Sequence, residues 1–70
     1  MKTSLYITIL NALQRNSGKM LNVNLVDYLR GKGLQYSGEE VMKALLVLEV
    51  MGKLRVISLD EERKVIELIS

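Results

Sequence analysis

Carboxylates are the only side chains of this sequence gathered in clusters that acid–base or metal chemistry could use: Glu39-Glu40 and Asp60-Glu61-Glu62. Paired carboxylates serve catalysis when their environments push their pKa values apart. They hold calcium or magnesium when further oxygens complete the shell. Here the spacing gives each cluster a plainer task. Ser37 stands three residues before Glu40, so its hydroxyl can accept from the Glu40 amide while the Glu40 carboxylate reaches back to the Ser37 amide, a capping box that starts a helix. Asp60-Glu61-Glu62 falls between two β-rich runs, where it solvates a turn. The sequence has no His and no Cys, which removes the side chains that most often shuttle protons near neutrality, attack as thiolates or bind zinc. Its Ser and Thr residues have no recognisable base partner. Gly31-Lys32-Gly33 lacks the preceding strand and the Gly-Lys-Ser/Thr ending of a phosphate loop, so it reads as helix termination. No enzyme, no metal site and no cofactor are expected.

The elements that carry these residues follow from hydrophobic spacing. With 70 residues, 49% of them hydrophobic and 26% charged, the chain supplies one core and forms a single domain over 1–70. A first helix is expected over about 3–15, capped by Thr3 or Ser4, with Leu5, Ile9, Ala12 and Leu13 at helical spacing and Ile7 and Leu10 widening the stripe. It ends at Asn16-Ser17-Gly18. Met20, Leu21 and Val23 make the next stretch either a brief extended segment or the direct start of a second helix. That helix, about 24–31, is capped by Asn22 or Asn24 and stops at Gly31 and Gly33. The third helix, about 38–52, runs from the Ser37 capping box through Val41, Leu45, Leu48 and Met51 to Gly52. From Leu54 the period changes to two, Asp60 to Arg63 interrupt, and Val65 to Ile69 resume, which predicts a hairpin over about 54–69. The fold class expected is mainly α with a C-terminal β-hairpin.

Helix, short link, helix, tight turn, capped helix and hairpin is an order that resembles the winged helix-turn-helix superfamily. The segment from Ser37 to Leu54, with its capped start, its Leu-x-x-Leu core, and then Gly52-Lys53 before an apolar strand, resembles the third helix and first wing strand of that superfamily. The resemblance covers essentially the whole chain and identifies a three-helix winged-helix architecture without pointing to one family. A small dimeric helical domain whose C-terminal segment pairs with another chain is the competing architecture. What the resemblance implies is a small protein that binds double-stranded DNA, a transcriptional regulator acting as a homodimer, with Tyr36, Lys43, Arg55, Arg63 and Lys64 as contacts and Arg30 and Lys32 in support. The plainer reading of these side chains is solvent-exposed Lys and Arg with Tyr36 at a core edge. Charge stands against the usual docking mode. Residues 1–35 hold five cations against Asp27 alone, whereas residues 36–70 hold five cations against seven carboxylates, so the third helix and wing tip carry groups that repel phosphate. This favours the alternative, a winged helix used as a protein-interaction module within a larger transcription or replication assembly.

The third helix is apolar nearly all round, from Val41 to Met51, and the first carries Leu5, Tyr6, Ile7, Ile9 and Leu10 on several faces. A small core either wraps these helices on most sides or leaves surface for a second chain. Without a disulfide or metal, oligomerisation is the remaining staple, so a homodimer is expected through Leu5, Tyr6, Ile9, Leu46 and Val50. No apolar stretch reaches the length of a membrane span, and no export signal is evident, which predicts a cytoplasmic protein. The absence of Pro, Trp, Phe, His and Cys leans toward a thermophile.

Overall fold

A computed structural model describes residues 4–69. The first helix, α1 (Leu5–Arg15), starts at Ser4, whose side chain accepts from the Tyr6 amide at 3.2 Å. Thr3, the other cap considered above, lies outside the described residues. Ile9, Ala12 and Leu13 are buried along one face. The helix ends as Asn16 Nδ2 donates to the Ala12 carbonyl at 2.8 Å and the backbone turns through Ser17 and Gly18 at positive φ.

Lys19–Leu21 then forms β1, an extended segment that pairs antiparallel with a strand nearly fifty residues away. The second helix, α2 (Asn22–Gly31), follows with no intervening loop, two residues earlier than its apolar spacing indicates. Neither asparagine is its cap. Leu21 occupies that position without a side-chain hydrogen bond, while the Asn22 side chain is committed elsewhere, as described below. After α2, the Leu34 amide donates to the Leu29 carbonyl at 3.0 Å and Gly33 takes φ +75°, a left-handed closure that suits glycine.

The third helix, α3 (Gly38–Val50), opens with the expected capping box: the Glu40 amide donates to Ser37 Oγ at 3.1 Å and the Ser37 amide to Glu40 Oε1 at 3.3 Å. It stops two residues short of Gly52, with Met51 as its cap. The strands β2 (Leu54–Ser58) and β3 (Lys64–Leu68) pair antiparallel. The sheet therefore has three strands in the order β1-β3-β2, where a two-stranded hairpin was expected, because β1 completes the free edge of β3. Three helices and a C-terminal antiparallel sheet with a hairpin are compatible with a winged-helix-like layout. The core joins Ile9 and Leu13 of α1, Leu25 and Leu29 of α2, Val41, Leu45 and Leu48 of α3, and Leu54 and Ile66 of the sheet. No helix among the described residues is long and apolar enough to cross a membrane.

Candidate functional site

The first face to consider joins α3, the start of α2 and the β2–β3 turn. Asn22 holds it together. Its Nδ2 donates to the Glu62 carbonyl at 3.1 Å and its Oδ1 accepts from the Lys64 amide at 3.2 Å, so one side chain at the head of α2 clamps the turn of the wing. The turn is also stiffened from within. Asp60 Oδ1 accepts from the amides of Glu62 and Arg63, and Arg63 Nε donates to Asp60 Oδ2 at 2.7 Å. The Arg63 guanidinium beside it, with those two amides, holds the Asp60 carboxyl below the usual aspartate value.

Between the start of α2 and the outer side of α3 lies an open groove of about 540 Å³, floored by Val26, Val41, Met42 and Leu46, with Glu39 and Lys43 at its rim. Beyond it the outer face of α3 stays apolar. Leu46, Val47 and Val50 are 53%, 43% and 87% exposed, and Met51 continues the patch past the helix end. The spacing explains the exposure: Val41, Ala44, Leu45 and Leu48 already fill the core-facing stripe, and the remaining apolar positions face outward.

The seven expected DNA contacts divide among several places. Arg63 is bonded to Asp60. Arg55 lies on the outer sheet face, 3.8 Å from a Glu67 carboxylate that also binds Lys19 at 3.2 Å. Lys64 Nζ donates to the Glu61 carbonyl at 3.4 Å, and its backbone belongs to the Asn22 clamp. Arg30 and Lys32 sit at the far end of α2 from Asn22, about 15 Å away along a ten-residue helix. The Lys32 ammonium lies 5.3 Å from the centre of the Tyr28 ring. Tyr36 is half-buried against the core. Only Lys43 projects from the exposed side of α3 itself, while Glu39 and Glu40 at its start and Glu61 and Glu62 on the wing turn make no ion pair among the described residues.

The residues expected at a dimer contact also divide. Ile9 is 0% exposed in the core and has no surface to offer a second chain, which removes it from that set. Leu5 is half-buried against the core. Tyr6, Leu46 and Val50 remain accessible.

Glu49 is a residue that spacing did not single out. Its Oε2 accepts from the Val56 amide at 3.0 Å, on the side of β2 turned away from β3. A carboxylate there occupies a donor that an edge strand otherwise offers to foreign strands. A second, open cleft is lined by α1, the later part of α2, Lys32 and Leu34, with polar side chains that hydrophobic spacing does not group. Thr8, Asn11 and Arg15 recur at helical spacing, which is the signal that marks a polar face on an otherwise apolar helix. No protein family matches the chain, and no curated protein matches it either.

Proposed function

We propose that the chain is a winged-helix protein-interaction module, docking a protein through the outer face of α3 and the groove beside it. The observation that carries this reading is the patch Leu46, Val47, Val50 and Met51, left exposed on the helix that a DNA-reading winged helix would place in the major groove. Apolar surface of this kind gains by being covered with another apolar surface. Its charged surroundings do not suit phosphate. Four carboxylates, Glu39, Glu40, Glu61 and Glu62, stand there against Lys43 and Lys64, and repulsion from a polyanion would cost affinity. Strand order and the capped third helix support membership of the winged helix-turn-helix superfamily. A cytoplasmic location would suit a partner in a transcription or replication assembly, and a second copy bound through Tyr6, Leu46 and Val50 would make the chain a homodimer.

Duplex DNA is the second reading, favoured by one observation: Asn22 fastens the wing turn to the head of α2, which lines the groove beside α3. Fluorescence anisotropy with random duplex DNA over a range of salt separates the two. Six phosphate contacts from Arg30, Lys32, Lys43, Arg55, Arg63 and Lys64 would give a log–log salt slope of about −5. Lys43 and Lys64, which make no ion pair among the described residues, give about −2, with weak binding at low salt. The steeper slope would overturn the protein-docking reading.

A further inference from the structure

The cleft between α1 and the later part of α2 carries chemistry of its own. It measures about 650 Å³ and is lined by Thr8, Asn11, Gln14 and Arg15 of α1, Tyr28 and Lys32 at the end of α2, and Leu34. That volume falls in the range of sites for small organic ligands. Its lining holds two cations and two carboxamides and no carboxylate. Neither Arg15 nor Lys32 makes an ion pair among the described residues. Two cations on one concave surface with no carboxylate in its lining give that cleft a positive potential that favours an anion. Lys32 is also placed, with its ammonium against the Tyr28 ring, an attraction that holds the charge at the cleft wall.

We propose that this cleft binds a small organic phosphate. Arg15 presents a planar fork of donors that matches a phosphoryl group in bidentate fashion, and Lys32 adds a point charge. Asn11 and Gln14 supply neutral donors to the remaining oxygens. Tyr28 and Leu34 form the less polar wall, against which the organic part of the ligand packs. The Tyr28 ring and Leu34 stand beside the polar donors in the lining, so the ligand proposed carries an organic part beyond the phosphoryl group. The cleft is lined by residues other than those of the α3 face, so the proposal stands or falls apart from the protein-docking reading.

Adenosine 5′-monophosphate is a suitable probe, followed by amide chemical shifts of the whole chain at low salt, with adenosine and inorganic phosphate as controls. The shifts are expected in the second half of α1 and around residues 28–34. Loss of the phosphoryl group in adenosine should weaken binding by about tenfold or more, as should Arg15→Gln or Lys32→Gln singly, since each removes charge-assisted hydrogen bonds. These side chains lie outside the core, and unchanged circular dichroism would confirm that both variants fold. Inorganic phosphate binding as tightly as the nucleotide would reduce the cleft to an ion site and overturn the proposal. Equal affinity for adenosine, unaltered binding by both variants, or no shifts at millimolar nucleotide would overturn it as well.

Discussion

Replacing Asn22 with Ala removes both hydrogen bonds that fasten the wing turn to the head of α2. The bond to the Glu62 carbonyl is exposed and the bond from the Lys64 amide is partly buried. A net hydrogen bond contributes about 1 kcal/mol, less where water can replace the lost partner. The pair is therefore worth about 1–2 kcal/mol, from which the better helix propensity of Ala in the first turn returns a few tenths. The expected loss is about 0.7–1.7 kcal/mol, a fall in Tm of roughly 3–14 °C for a domain of this size. Denaturant unfolding followed by circular dichroism gives the free energy. Amide exchange gives its location, since the Lys64 amide should lose protection while Leu45 in the core keeps its own. Asn22→Asp retains the acceptor for Lys64 but loses the donor and adds a charge beside Glu62, so it should fall between wild type and Ala. A stability within 0.3 kcal/mol of wild type, well under one net bond, or an unchanged exchange rate at Lys64, would refute the clamp.

Three further outcomes follow from named contacts. Glu49→Ala frees the Val56 amide on the outer side of β2 and should increase concentration-dependent aggregation in light scattering, whereas Glu49→Gln, which keeps an acceptor oxygen, should behave like wild type. Sedimentation at high micromolar concentration should show a dimer that Leu46→Glu with Val50→Glu converts to a monomer of unchanged stability, because both positions are exposed. A wild-type monomer would end the homodimer proposal. For Asp60, the depressed folded-state pKa means that its contribution is present above the ordinary aspartate value and is lost as pH falls through the lower folded value. An NMR titration should place its midpoint below the ordinary aspartate value, and Arg63→Ala should raise it.

The helices were legible because each is written in local terms. Ser37 and Glu40 announce the start of α3 three residues apart, and Leu25, Leu29, Leu45 and Leu48 recur at helical spacing, so core and elements could be read together. What escaped was long-range. Three residues, Lys19–Leu21, are too few to show a period, and only pairing with Glu67, Ile66 and Val65 makes them a strand. Asn22 looked like a helix cap because its local context is that of one, but its partners lie forty residues away. Ile9 belongs both to the helical stripe of α1 and to the expected dimer set because α1 is apolar on several sides, and only the fold decides which side is covered. Arg55, Arg63 and Lys64 were readable as cations; that Glu67, Asp60 and the Glu61 carbonyl engage them was not.

A photoreactive residue placed at Val50 tests the outer face of α3 most directly, with a second at Lys53, just beyond the helix, as the reference position. After irradiation in cells producing the chain, the account predicts discrete adducts to protein at position 50, a second copy of the chain included, and their loss on Leu46→Glu. Adducts to nucleic acid alone, or a yield at position 50 no higher than at position 53, would contradict it.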